Sequence, residues 1–418
     1  MKNSPLLSAT CEHRRLLESR EKKIPWKKWG PYLTERQWGT VWEDYSENGD
    51  AWNYFSHDHA RSRAYRWGED GLAGISEDLS RVMRQALAGM LWSKQYFHFD
   101  VYQWLDEHDI DPMSVESRTF RNREWFHMVN DDIISMPDKW EYPWYAAWDL
   151  AFHTSALSIV DPDFAKGQLD LMTSAEYLHP SGQIPAYEWN FIDVNPPVHA
   201  WACLFLYLTE KMDRGQGDLD FLKRSFNKLT MNFTWWVNRK DRFGKNVFEG
   251  GFLGLDNIGV FDRSAPLPTG GHLEQADGTA WMALFCQNMT EIACELAAFD
   301  LVYEEMTIKF LEHFLWIAAA MNRFGGGQVG FWDEEDGFYY DILRKPDGTA
   351  TPLKVRSMVG LLPICATTVI EKYQRERFPR ATEFIQRRYS QMPELLSSIH
   401  ATGPGHLGVG ERGIAALV

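Results

Sequence analysis

The sequence lacks the features that would place it in several large functional classes. Lys and Arg number 43 against 58 Asp and Glu over 418 residues, a formal charge of −15. A basic surplus is therefore missing, and with it the face that nucleic acid or an anionic membrane surface would need. No stretch approaches the ~18 uncharged apolar residues of a membrane span. The opening MKNSPLLSATCEHRRLLESR holds no apolar run of the kind a secretory signal carries, so a cytosolic location is expected. Cysteine is scarce: Cys11, Cys203, Cys286, Cys294 and Cys365 are odd in number and widely spaced, which excludes a disulfide framework. No Cys/His grouping has zinc spacing, so no metal is expected. Cys286 and Cys294, eight apart within a helical pattern, read as reduced core thiols. There is no G-x-G-x-x-G and no P-loop, which argues against nucleotide binding. Sustained alternation with hairpin turns is also absent, so β content should be small.

Aromatics are plentiful, at 14% of residues with 19 Trp, and apolar residues reach 44%, ample for a core. Trp either fills cores or offers a flat face for stacking on sugar rings. Residues 1–80 are polar, aromatic and short on periodicity, and are expected to form an irregular arm. From 81 to 418 the period is helical. Helices are expected over 83–108 and, after a loop at 109–143, from Ala146 to Val160, where Asp161-Pro162 stops the element. Others follow at 163–178, 198–213 and 218–240. In the last, Leu222, Phe226, Leu229, Phe233 and Trp236 share one face. Residues 277–299 with 301–321, and 354–373 with 380–398, read as helix pairs. The chain closes on GHLGVGERGIAALV, in which Glu411 to Val418 reads as the opening of an amphipathic helix. About nine antiparallel helices, with long loops at 179–197, 241–275 and 322–345, predict an all-α, α/α-toroid fold whose rim carries the chemistry.

Four segments concentrate acids among aromatics. EYPWYAAWDLAFH (141–153) holds Tyr145, Trp148 and Asp149 at a helix start, where a carboxylate either favours the helix dipole or binds hydroxyls beside a stacking Trp. GQIPAYEWNFIDVNPPVHAWA (182–202) places Glu188, Trp189 and Asn190 on a loop before Pro196-Pro197 fixes the next helix start. FEGGFLGLDNIGVFDRS (248–264) surrounds Asp256 with glycines, either an Asx-turn or a constrained site. GFWDEEDGFYYDIL (330–343) offers Trp332 and Asp333, while Glu335 and Asp336 fit a hairpin turn with exposed charge. Carboxylates and aromatics on one rim are what glycoside hydrolysis needs: one acid protonates the leaving oxygen, a second carboxylate activates water or attacks, and aromatics hold the sugar.

The segments PWYAAWDLAFH, GQIPAYEWNF with DVNPPVHAWA, GLDN, and the arm WGPYLTERQWGTVWEDYS resemble glycoside hydrolase family 63, the family of mannosyl-oligosaccharide glucosidase. The resemblance implies an (α/α)6 barrel that hydrolyses α-glucosidic or related bonds with inversion and without a redox cofactor. The substrate implied is an oligosaccharide or small glycoside. By the same resemblance Asp256 is the general acid. Tyr145, Trp148, Asp149, Glu188, Trp189, Asn190, Gln275 and Trp281 contact sugar, with Trp332 and Asp333 as weaker candidates. An acid working near neutrality needs its pKa raised by burial or a like charge, and Phe252 and Phe261 suit that role. The family's general base, a Glu in a C-terminal motif, has no copy before residue 418. A block between the arm and the first barrel helix, near SEDLSRVMRQ, is also expected to be missing, so the (α/α)6 toroid is expected to be incomplete. An inverting reaction needs both carboxylates, about 6.5–9.5 Å apart. A sugar-binding chain without turnover is therefore the alternative. An epimerase is disfavoured because His153, His179, His199 and His272 show no paired spacing.

Overall fold

A computed structural model describes residues 11–22, 86–91, 93–114, 125–136, 145–187, 194–239, 247–249, 259–261, 263, 267–322, 329–393, 400–402 and 412–417. The chain forms two compact units. One comprises Met1–Tyr177, Tyr187–Trp189 and Phe205–Asp218; the other comprises Leu178–Ala186, Asn190–Leu204 and Leu219–Val418.

In the first unit, helix α1 (Cys11–Lys22) interrupts the expected irregular arm. Its Arg20 grips Asp163 with two parallel hydrogen bonds, Nε to Oδ2 at 2.9 Å and Nη2 to Oδ1 at 2.8 Å. The helix expected over 83–108 is corrected. Its middle is strand β1 (Lys94–Asp100), and helix α2 (Val101–Glu107) begins only after Asp100 accepts a bond from the Gln103 amide. The aromatic alternation of KQYFHFD explains the change, with Phe97 buried while Tyr96 and His98 are exposed. The loop expected at 109–143 likewise contains strand β2 (Val129–Ser135), antiparallel to β1 from Lys94↔Ser135 to Asp100↔Val129. Helices α3 (Ala147–Val160) and α4 (Pro162–Met172) form a hairpin at the predicted break. Asp161 ends one helix and accepts the Phe164 amide of the next, with Pro162 in the first turn. Helix α5 (His199–Arg214) begins in the second unit and continues into the first. There Glu210 and Asp218 receive the Lys166 ammonium at 2.6 and 3.0 Å.

The second unit is built on α6 (Leu219–Val237), α7 (Ala276–Ala297) and α8 (Glu304–Asn322). The predicted face of α6 is buried, and Phe233 meets Phe285 and Phe310 edge-on at centroid distances of 5.3 and 4.9 Å. Helix α7 is buried along nearly its whole length, which fits a helix apolar on all sides. Cys286 and Cys294 are free thiols inside it, as expected. Strand β3 (Phe248–Glu249), β4 (His272–Gln275), β7 (Asp341–Arg344) and β8 (Ala350–Leu353) make one antiparallel sheet in that order. Strands β5 (Trp332–Asp333) and β6 (Phe338–Tyr339) form a hairpin.

The helix expected over 354–373 is also corrected: Pro363 and the β-branched run Thr367–Ile370 give short 3-10 turns followed by strand β9 (Thr367–Ile370). Short helix α9 (Lys372–Arg377) and α10 (Pro379–Gln391) come next. The closing segment is not helical. Strand β11 (Gly413–Ala416) lies between β10 (His400–Thr402) and β9, and Ala415, Ala416 and Leu417 are buried. The described residues are mainly helical with small sheets, and α3–α4 and α7–α8 are helical hairpins of the kind from which an α/α toroid is assembled. No helix among them is long and apolar enough to cross a membrane.

Candidate functional site

Helix α3 starts without the usual side-chain cap. Ala146 stands at the N-cap position in extended backbone and is tied by a β-bridge to Tyr187. Tyr145 just before it is buried, edge-on to Tyr177 at 4.9 Å. Trp148 and Asp149 therefore occupy the first turn, where backbone amides are not claimed by a capping oxygen. Trp148 packs edge-on to Phe152 at 5.9 Å, and its indole N–H donates to Asp149. Burial raises the Asp149 carboxyl to about 6, against the opposing pull of bonds from its own backbone amide and from Trp148. Burial thus outweighs the stabilisation that a first-turn position gives a carboxylate. One turn on, His153 sits 3.1 Å from the Ser135 hydroxyl, and burial lowers it to about 4, so it is neutral.

In the second unit, Gln275 ends β4 and starts α7. It is fully buried, and neither atom of its amide has a hydrogen-bond partner among the described residues. The Trp281 indole nitrogen is buried and without a partner among the described residues as well. Next to Gln275, Arg263 is held between Asp277 (2.6 Å) and Asp341 (2.5 Å). Trp332 and Asp333 lie in the β5–β6 hairpin, Trp332 edge-on to Tyr339 at 5.0 Å. Asp333 is ion-paired to Lys354 at 2.7 Å, and this cation holds its carboxyl below the usual range. The turn reading holds for Glu335, which is exposed, whereas Asp336 is engaged by Lys354, Arg356 and the Tyr340 hydroxyl.

The loop that leads toward residues 188–190 is anchored within the second unit. Asn232 donates to the Gly182 carbonyl at 2.7 Å and accepts from His199 Nε2 at 2.9 Å. Gly182 adopts φ +94°, and a Cβ there would meet the Met231 carbonyl oxygen at 2.5 Å, so only glycine fits. Asp256, Glu188, Trp189 and Asn190 lie outside the described residues. Of the remaining candidates, Tyr145, Trp148 and Asp149 are grouped in the first unit. Gln275, Trp281, Trp332 and Asp333 belong to the second. Among the described residues no group of three or more His, Cys, Asp or Glu is arranged to hold a metal ion. Arg263, in the FDRS run, carries no local sequence signal of its role, because its partners lie 14 and 78 residues away along the chain.

Residues 142–253 match the family described as the mannosylglycerate hydrolase MGH1-like glycoside hydrolase domain. The resemblance to a family 63 glycosidase is thereby borne out over that stretch, which holds Tyr145 to Asn190. The chain is 47% identical over 357 residues to the uncharacterized protein YMR196W of Saccharomyces cerevisiae, covering 82% of this chain and 33% of that protein. It therefore spans about a third of the length of that relative. Among solved structures, an uncharacterized conserved protein of Thermus thermophilus is similar at 16% identity and a TM-score of 0.44, over 62% of this chain and 72% of that one. The GH63 mannosylglycerate hydrolase of the same organism in complex with glucose is similar at 16% identity and a TM-score of 0.43, with the same coverage.

Proposed function

We propose that this chain acts on α-glucosidic or related α-glycosidic bonds as an inverting hydrolase, in the cytoplasm, with an oligosaccharide or small glycoside as substrate. The observation that carries the proposal is Asp149. It is a carboxyl lifted by burial to about 6 beside a half-buried Trp148, within the stretch that matches a glycoside hydrolase domain. Such a group accepts or donates a hydrogen bond to a sugar hydroxyl near neutral pH, while the adjacent indole supplies a stacking face. Asp256 in Gly254-Leu255-Asp256-Asn257 is the proposed general acid. Glu188, Trp189, Asn190, Gln275 and Trp281 are proposed sugar contacts. In Gln275 the support is a buried amide with free hydrogen-bonding capacity among the described residues. Trp332 and Asp333 are weaker contacts, because Lys354 already engages Asp333.

The test is turnover. The purified chain is incubated with α-linked glucose disaccharides, glucosylglycerate and mannosylglycerate, beside an Asp256→Asn control. Release of sugar that disappears in the control supports the hydrolase. Binding of glucose or of these glycosides without release supports the sugar-binding alternative. If neither turnover nor binding occurs, both assignments fail.

A further inference from the structure

The second unit holds a cavity of about 280 Å³ between α7, α8, β9 and the α9–α10 segment. Among the described residues, none of those proposed above to contact sugar lines it. Its walls are mainly apolar: Leu311 and Phe314 come from α8, Ile370 from β9, and Phe378 and Ile385 from the start and middle of α10. An apolar cavity of about 150 Å³ holds benzene, so this one has room for an aromatic ring with a short chain. The α7 wall differs in character. There Gln287, Thr290, Glu291 and Cys294 recur at helical spacing and line the cavity from one face of the helix.

The polar atoms of that wall are unevenly used. Its hydroxyls are spent, since Thr290 donates to the Cys286 carbonyl at 2.8 Å and Thr368 of β9 donates to the Glu291 carboxylate. Gln287 is only 2% exposed, and its amide nitrogen donates to the carbonyls of Ala366 at 3.2 Å and Ala415 at 3.1 Å. Its Oε1 is buried with no partner among the described residues. Burial, and then the like charge of Glu295 one turn on, push the Glu291 carboxyl up to about 7. Arg375 also lines the cavity, yet burial and Glu295 are what set that carboxyl. The wall thus offers acceptors and negative charge, and both are costly to bury unmatched. An ammonium group supplies what matches them, three hydrogens to donate and a positive charge.

We infer that this cavity is a binding site for a small amphiphilic amine, whose apolar body fills the space between α8 and α10 while its ammonium group pairs with Glu291 and donates to Gln287 Oε1. A carboxylate-headed amphiphile would meet the charge of Glu291 and Glu295, and a hydrocarbon would leave Gln287 Oε1 unmatched. The inference does not rest on the glycosidase proposed above. The test is calorimetric titration of the purified chain near neutral pH with phenethylammonium, and with phenethyl alcohol, which has the same body and a neutral head. The ammonium should bind at least about tenfold more tightly, the margin expected of one charge-assisted hydrogen bond. Glu291→Gln keeps the shape and loses the charge, and should bring the two affinities within about threefold of each other. Ala381→Phe fills the cavity from α10 and should abolish binding of both. A readout on the wild type is independent of any variant: deuterium uptake by backbone amides over 367–386 should fall when phenethylammonium is saturating. Absence of saturable binding, equal affinity for the two heads, or unchanged uptake over 367–386 overturns the inference. So does a preference for the ammonium that survives in folded Glu291→Gln, or binding that survives in folded Ala381→Phe, since either places the amine elsewhere.

Discussion

Asp149 is pulled in two directions by its surroundings. A first-turn position on α3 favours the charged form by about 0.3–1 kcal/mol, while burial disfavours it. The net shift, from 3.8 to about 6, corresponds to about 3 kcal/mol. Because the folded pKa is raised, the proton-bound form stabilises the fold fully below about pH 3.8, and that contribution is lost as the pH rises through about 6. Asp149→Asn keeps the hydrogen-bonding shape without the charge. Its stability by urea unfolding should therefore equal the wild type's near pH 4 and exceed it at pH 7.5, by up to about 3 kcal/mol. A variant less stable than wild type at pH 7.5 would show that the carboxylate is there for the helix. The same substitution should weaken binding of glucose, since a group kept at a cost to stability is expected to have a use.

At the scale of elements, the ends of helices show what a sequence discloses and what it hides. Helix α9 is capped locally: Glu371 and Gln374 form a reciprocal capping box three residues apart. Helix α10 has no such device, for Phe378 at its N-cap position offers no acceptor. Instead the buried Glu304 of α8 accepts from the Arg380 amide at 2.9 Å and the Ala381 amide at 3.3 Å, across 76 and 77 residues of chain. Glu304→Ala leaves two amides without an acceptor and should cost about 1–3 kcal/mol, with Glu304→Gln recovering part of it, as read by the urea midpoint. An unchanged midpoint in Glu304→Ala would mean that water serves these amides as well.

The same divide runs through the fold. The α6 face was legible because each of its residues repeats at helical spacing and is buried for that reason. Strand β11 was not, because its apolar residues gain their meaning from β9 and β10 on either side. In the candidate site, Trp148 and Asp149 stood out as an adjacent pair, whereas the Arg263 cluster is assembled only by folding.

At the scale of the whole molecule, each compact unit holds, among the described residues, a histidine that is kept neutral by burial. His153 belongs to the first and His199 to the second. Burial lowers both from 6.5 to about 4; the Asn232 oxygen pulls His199 the other way without prevailing. Their folded pKa values are depressed, so the unfolded chain binds more protons between pH 4 and 6.5. The stability each confers is complete above about 6.5 and drains away as the pH falls toward about 4. The shift corresponds to about 3 kcal/mol per histidine, enough to matter against the 5–15 kcal/mol by which domains are typically stable. Asp149 has the opposite slope, so Asp149→Asn should steepen the acid loss in its own unit. His199→Gln retains a donor for Asn232 Oδ1 and removes the titration. Between pH 6.5 and 4.5 its urea midpoint should fall less than the wild type's, while at pH 7.5 the two should lie within about 1 kcal/mol. Parallel pH profiles for the two proteins would show that His199 is charged in the fold, and would remove the basis for treating the His199–Asn232–Gly182 chain as a neutral anchor of its loop.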